Sequence, residues 1–192
     1  MKRLVVVFFA IFAVTAFVTA QSEWKFDKVH SSVTFSVRHM VISNVSGNFK
    51  DFSVVLKSEK EDFSDAVVEG TIQVASINTD NDTRDKHLKS DDFFNAEKFP
   101  EIKFKSTKFE KLGDNNYKIT GDLTMRDVTK EVTFDAVLNG TLKTDKGLLS
   151  AWKATTTVNR FDYNLKWSKT VETGGLIVGQ DVTITLNLEL SK

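Results

Sequence analysis

The chain has 192 residues, with 26 basic against 26 acidic side chains, 41% hydrophobic residues and no cysteine. The lack of cysteine excludes disulfide bonds and lipid attachment through a cysteine thiol, so burial of apolar surface must hold the fold together. A chain of this length suffices for that. Charges of both signs alternate along the sequence, which excludes a basic patch of the kind that binds nucleic acid.

The N-terminus has the layout of a secretory signal peptide. A pair of basic residues precedes an apolar run from Leu4 to Val18, and small side chains lead up to Ala20. The run is shorter than the roughly 20 residues of a membrane-spanning helix, which favours cleavage over anchoring. We therefore expect a signal peptide over 1–20 and one domain over 21–192, located in the periplasm or secreted. This mature chain carries 24 basic and 26 acidic residues, a balance of −2.

Alternation of apolar and polar residues predicts strands along most of the remaining chain. The first strand is interrupted at Val29–Ser32. In chain order the predicted strands cover Trp24 to Asp27 with Val33 to His39, Gly47 to Lys57, Val67 to Ile77, Glu101 to Phe109, Tyr117 to Met125, Glu131 to Leu142, Leu148 to Val158 and Val182 to Leu190.

Three segments depart from this alternation. Val41 to Ser46 is predicted as a short helical turn, and a bulge or change of face is expected near Asp51. Between the third and fourth strands, Asp82 to Leu88 combines helix-forming residues with preceding capping side chains, and a second short turn begins at Ser90. The sequence therefore predicts a short helical insert at this point.

The fold class that follows is all-β. Short turns between the eight predicted strands favour antiparallel pairing, and no βαβ repeat is present. Each strand has one apolar face, and a sheet that closes on itself gives those faces a common interior. We expect an eight-stranded antiparallel barrel whose function depends on what fills the inside.

Several sequence blocks match a known family in the same order. They are Asp27 to His39, Gly47 to Phe52, Ser76 to Asn81, Arg84 to Phe94, Phe99 to Ser106, Asn159 to Tyr163 and Val178 to Val182. In these blocks the chain resembles the YceI-like family, from about Trp24 to Leu190, and Arg84 to Phe94 is the most specific block. One departure is Asn164, where the family often has glycine. Asparagine also tolerates a left-handed backbone, so the turn is expected to persist.

The resemblance implies a lipocalin-like barrel that is exported and holds a long polyisoprenoid or similar lipid in its interior. Members of the family are described as carriers or storage proteins and are linked in some bacteria to stress responses. The resemblance implies no catalytic residue and no cofactor. The expected partner is a long-chain isoprenoid or fatty lipid, and a homodimer is left open.

Candidate binding residues divide into a lining set and a polar set. The apolar candidates for the cavity wall are Phe35, Val37, Phe104, Ile119, Leu123, Phe134, Trp152, Ile184 and Leu186. For each of them, plain packing in a solid core is the alternative. His39, Asn159 and Arg160 are candidates for contact with a lipid head group, with a structural hydrogen bond or ion pair as the alternative. Arg84 and Asp85 are expected to brace the helical insert.

Other functions rest on weaker patterns. A small hydrolase or isomerase would use His39 with Asp162 or Glu172 at the barrel mouth, and an adhesive or stress-protective module would use the barrel exterior. The three histidines lack the spacing of a zinc helix motif. The carboxylates from Asp80 to Asp85 lack the glycine of a calcium loop. No metal site is predicted.

Overall fold

The structure is a computed structural model that describes residues 22–171 and 174–192. The predicted signal peptide and Gln21 lie outside these residues. No helix within the described part of the chain is long and apolar enough to cross a membrane. In chain order the elements are β1 (Glu23–Phe26), β2 (Ser32–His39), β3 (Ser43–Phe49), β4 (Phe52–Lys57), β5 (Val67–Gln73), β6 (Ile77–Asn78), α1 (Asp82–Lys89), β7 (Glu101–Gly113), β8 (Asn116–Met125), β9 (Val128–Thr144), β10 (Gly147–Asn159) and β11 (Val178–Ser191).

The strands close into a ring, which confirms the predicted antiparallel barrel. The ring runs β1-β4-β5-β7-β8-β9-β10-β11 and returns to β1, because β11 pairs with β1 as well as with β10. The segments β2, β3 and β6 extend three of these strands. Both β1 and β2 pair with β11, so β2 continues the strand that β1 begins. In the same way β3 pairs with β2 and continues into β4, and β6 pairs with β3 and continues β5. The eleven segments therefore make eight strands.

The interruptions follow from local sequence. The predicted break at Val29–Ser32 separates β1 from β2, as expected. The second predicted strand, Gly47 to Lys57, is divided into β3 and β4 at Lys50 and Asp51, close to the expected bulge. The third, Val67 to Ile77, is divided by a 3-10 turn at Val74–Ser76. The insert is confirmed as α1, where the Asn81 side chain caps the helix by accepting a 2.9 Å hydrogen bond from the Arg84 amide.

One predicted element is wrong. Val41 to Ser46 is not a helical turn: β2 reverses directly into β3 through a tight turn at Met40 and Val41, and the strand resumes at Ser43. A six-residue window is too short to distinguish a helical turn from a hairpin, and pairing with β2 decides the outcome here.

The two ends of the barrel are built differently. We call the end that holds the loop between β4 and β5 the plugged end, and the opposite end, where α1 lies, the insert end. At the insert end the backbone ladder stops between β6 and β7, within the described residues. The last bond there is from the Val74 amide to the Pro100 carbonyl, at 2.8 Å. Residues 79–100, including α1, cover the gap.

Candidate ligand cavity

The barrel interior contains an elongated apolar cavity of about 190 Å³. Its wall takes side chains from strands around the whole ring, and among the described residues only Arg160 brings an ionisable group to it. Several inward-facing side chains on this wall, such as Phe104, Ile184 and Leu186, are only half-buried although they point away from the outer surface. The interior is therefore hollow in its middle.

Ten of the twelve predicted binding residues line this cavity. They are Phe35, Val37, Phe104, Ile119, Leu123, Phe134, Trp152, Arg160, Ile184 and Leu186. The alternation that predicts the strands also gives the side of each residue, because a period of two assigns every second residue to the interior. Whether these residues contact a ligand stays a prediction.

His39 and Asn159 lie at the insert end but are not part of the cavity wall within the described chain. The Asn159 side-chain oxygen accepts a 3.0 Å hydrogen bond from the Phe161 amide, which begins the 3-10 turn at Arg160–Tyr163. His39 ends β2 opposite Val178. The Asn159 side chain therefore begins the turn after β10, and His39 is the last residue of β2.

Arg160 is a buried cation, with 4% of its surface exposed. Burial lowers the pKa of its guanidinium. Its N–H groups donate to four backbone carbonyls, those of Leu165 and Trp167 and, at 2.8 and 3.0 Å, those of Gly179 and Val178. The guanidinium thus ties the segment that follows β10 to the start of β11, and most of its donors are already used.

Asn164 ends the 3-10 turn in the left-handed conformation, with a φ of 61°. The turn that the resemblance predicted therefore persists without glycine. The side-chain Nδ2 of Asn164 donates to the Asp127 carboxylate at 3.0 Å, which anchors the turn to the β8–β9 connection. Neighbouring Tyr163 is buried, and its hydroxyl has no hydrogen-bond partner within the described residues. Burial, with the Asp162 carboxylate second, raises the pKa of Tyr163 to about 12.

At the plugged end the interior is solid. The loop between β4 and β5 inserts Phe63, which is 1% exposed and packs against Trp24 and Trp152 with ring centroids 5.2 and 5.0 Å apart. Tyr117 holds the loop by donating its hydroxyl to the Asp62 carbonyl at 3.0 Å. No sequence pattern predicts this plug, because Phe63 lies in a polar segment without alternation.

At the insert end the cavity wall is made by the insert. Leu88, Phe93 and Phe94 all line the cavity. Phe94 packs edge-on against Phe49 of β3 with centroids 6.1 Å apart, which anchors the insert to the barrel wall. Arg84 and Asp85 brace the insert as predicted: both bind Thr79, and Asp85 is buried.

Two glycines make room for cavity rings. A Cβ on Gly121 of β8 would lie 2.7 Å from Cζ of Phe104, and one on Gly47 of β3 would lie 2.5 Å from Cζ of Phe35. Each ring therefore rests on the bare backbone of the neighbouring strand. These contacts hold the rings against the wall and leave the centre empty.

The YceI-like domain family matches residues 24–190, nearly the whole described chain. This chain belongs to the YceI-like family. A UPF0312 protein of Staphylococcus aureus (strain bovine RF122 / ET3-1) is 38% identical over 172 residues, covering 88% of this chain and 98% of that protein. The YceI protein of Campylobacter jejuni superposes with a TM-score of 0.70 at 28% identity, covering 97% of this chain and 99% of that one.

A third similar protein is more distant. It is described as a polyisoprenoid binding domain from Saccharophagus degradans, and it superposes with a TM-score of 0.63. At 13% identity, over 90% of this chain and 99% of that one, this likeness shows the shared fold.

His39 and Asp162, the two described residues of the alternative enzyme, are not brought together. Asp162 pairs with Lys130 at 3.1 Å, and no contact joins Asp162 to His39 among the described residues. Glu172 lies outside them. Nothing in the described geometry favours a hydrolase or isomerase.

Proposed function

We propose that this chain is an exported binding protein that holds a long-chain isoprenoid or similar lipid in the barrel, as a carrier or store and not as an enzyme. The observation that carries the proposal is the apolar cavity with a single ionisable group on its described wall. A polar substrate would lose its water there without finding partners, which is costly. An apolar chain makes no hydrogen bonds to water, so its burial carries no such cost. The similar domain from Saccharophagus degradans is described as binding a ligand of this class, a polyisoprenoid.

The affinity of such binding depends on how much of the tail is buried. Burial of some fifteen CH₂-sized groups releases on the order of 12 kcal/mol. Association and ordering offset about 4–15 kcal/mol of this, so useful affinity results only when the tail is long and well enclosed. Polar contacts then orient the ligand more than they strengthen it.

The size of the cavity sets a condition on the ligand. Its volume of about 190 Å³ is only somewhat larger than the roughly 150 Å³ that admits a benzene molecule. A long tail therefore needs additional space. We assign that space to the insert end, where Phe35 and Phe94 are half-buried, because the plugged end is already filled by Phe63 and its neighbours.

Export belongs to the same proposal. The apolar run from Leu4 to Val18 is expected to direct secretion and to be removed near Ala20. The intact mass of the protein recovered from the periplasm or medium tests this. A mass that still includes the first 20 residues would contradict cleavage.

Native mass spectrometry and organic extraction of the protein purified without detergent test the ligand. We expect a bound apolar long-chain molecule. Gly70→Phe is the sharpest variant, because Gly70 lines the cavity and a Cβ there meets nothing closer than 3.9 Å. The new ring is expected to occupy the cavity and lower the extracted lipid roughly tenfold or more.

Val55→Phe is the matched control. It adds a similar ring on the outer face of β4, the neighbouring strand, and is expected to leave the extracted lipid unchanged. A wild-type protein with no extractable apolar molecule would refute the proposal. Equal lipid in Gly70→Phe and in the wild type would place the ligand outside the barrel.

A further inference from the structure

The turn between β2 and β3 exposes three consecutive apolar side chains. Met40, Val41 and Ile42 are 42%, 53% and 84% exposed. They form the tip of a hairpin at the insert end, and we call these three residues the hairpin tip. Scattered apolar residues on a surface are ordinary, but three in succession at a turn form a compact exposed apolar patch.

The backbone of the hairpin tip is unfavourable for the residues it carries. Met40 and Val41 have φ values of 49° and 68°, and the Ile42 amide donates to the His39 carbonyl at 3.2 Å. Two consecutive positive φ values are the pattern of a type I′ turn, which favours Asn-Gly. A β-branched residue such as Val41 rarely adopts this conformation. The chain thus keeps apolar side chains where polar ones would fold more easily.

A second segment lies beside the hairpin tip. The Met40 amide donates to the Ile177 carbonyl at 2.8 Å, and the Ile177 amide donates to the Lys169 carbonyl at 2.8 Å. The Lys169 ammonium lies 5.8 Å from the centre of the Trp167 ring. The Trp167 ring itself packs against Phe93 and His87 of the insert, with centroids 5.5 and 5.3 Å apart. Lys169 therefore adds a cation to the segment beside the hairpin tip, and cations favour the interface between water and lipid head groups.

The charge around the hairpin tip is positive. Arg38 at the end of β2, together with Lys166 and Lys169, is exposed. The adjoining part of β11 carries one exposed carboxylate, Asp181, which precedes Val182 opposite Val37. The three basic residues outnumber it.

The hairpin tip also adjoins the cavity. Val37, three residues before Met40, and Val178, directly after Ile177, both line the cavity wall. A lipid tail that leaves the barrel at the insert end emerges beside exposed apolar residues. The opposite end offers no such route, since Phe63 and its neighbours fill it.

We propose that the hairpin tip docks the protein on an anionic lipid surface, with its three apolar side chains entering the head-group layer and the neighbouring basic residues facing anionic head groups. This rests on the proposed function, because docking places the cavity where a lipid is taken up or released. A second copy of the chain fits less well, since three side chains provide far less than the roughly 800 Å² per partner of a stable interface.

Vesicle flotation of the full mature protein tests the proposal. The probes are vesicles of phosphatidylcholine alone and of phosphatidylcholine with about one-third phosphatidylglycerol. We expect the protein to float with the anionic vesicles and less with the neutral ones, and added salt to reduce the bound fraction. The double variant Met40→Asn with Val41→Gly is expected to lower the bound fraction about tenfold or more.

This variant suits the test because it places the preferred residues in the turn. It is expected to be at least as resistant to urea as the wild type, so lost binding cannot be ascribed to unfolding. Leu142→Ser is the matched control: Leu142 is 60% exposed near the β9–β10 turn at the plugged end. Its removal is expected to leave flotation unchanged.

Three results would overturn the proposal. The wild type does not float with anionic vesicles, or the double variant floats equally well, or Leu142→Ser loses as much binding. Sedimentation without vesicles adds a fourth: a dimer that the double variant dissociates would assign the tip to self-association. Lipid extracted from the same preparations is measured separately, so a protein that retains its lipid but ignores vesicles refutes docking alone.

Discussion

The two ends of the barrel are made from the same alternating strands, yet they are closed by different parts of the chain. At the plugged end a loop inserts Phe63 among tryptophan and tyrosine rings. At the insert end residues 79–100 form a cover, and inward-facing side chains of this cover line the cavity. Alternation therefore builds the wall, while the connections between strands decide how each end is filled.

The largest effect is expected from removal of the plug. Phe63→Ala should lower the free energy of unfolding by about 3–5 kcal/mol, because it deletes a fully buried ring between Trp24 and Trp152. Phe94→Ala at the insert end is the matched variant and should cost about 1–2 kcal/mol, since its ring is already half-buried beside the cavity. Urea unfolding measures both. Equal costs would abolish the distinction between the two ends.

Arg160→Met is expected to cost about 3 kcal/mol, because four buried carbonyls lose their donor while the apolar stem is largely kept. The loss should be local at first. Limited proteolysis is expected to cut the segment between β10 and β11 early, before the β4–β5 loop. Cleavage at both sites with equal speed would show that Arg160 stabilises the whole barrel and not the insert end.

Alkaline pH should weaken the insert end through Tyr163. Its pKa is raised to about 12 in the folded protein, against an ordinary 10.0, so the neutral form is favoured by folding. The corresponding stability is complete below pH 10 and is lost as pH rises through 12, amounting to about 2–3 kcal/mol.

Tyr163→Phe removes this titration. Unfolding free energies measured between pH 9 and 12 should therefore fall less steeply in the variant than in the wild type. Tyr117 also has a raised pKa, mainly from burial, and contributes equally to both proteins. Parallel curves for the two proteins would contradict the assignment.

The smallest effect is expected at the start of α1. Asn81→Ala removes the side chain that caps the helix and should cost about 1 kcal/mol. Hydrogen exchange of the α1 amides should rise while that of β8 to β10 stays constant. Asn139→Ala, at an exposed position on β9, serves as the control and should change neither quantity.

Much of this architecture is predictable from the sequence, for a physical reason. Alternation of apolar and polar residues predicts both that a segment is a strand and which of its faces points inward. Phe35, Ile119 and Leu186 could therefore be placed on the wall. Capping side chains ahead of the helix-forming residues Asp82 to Leu88 located the insert. Whether the wall encloses space could not be read, since that depends on distances across the barrel.

The missed features share a different cause. Phe63 is a single apolar residue in a polar loop, and only its contacts with Trp24 and Trp152 bring it inside. Arg160 reads equally well as a head-group contact or a structural donor until its four carbonyl partners are known. The β2–β3 turn was mistaken for a helical turn because Met40 and Val41 carry none of the usual hairpin residues.

Among the described residues no backbone ladder joins β6 to β7, so the barrel wall has one line without paired strands. A wall of paired strands widens only when backbone hydrogen bonds break, and those are lost together. Where β6 and β7 part, the described residues have no such bonds to break, and Phe94 of the cover lines the cavity nearby. We therefore expect any widening of this interior to begin along that line.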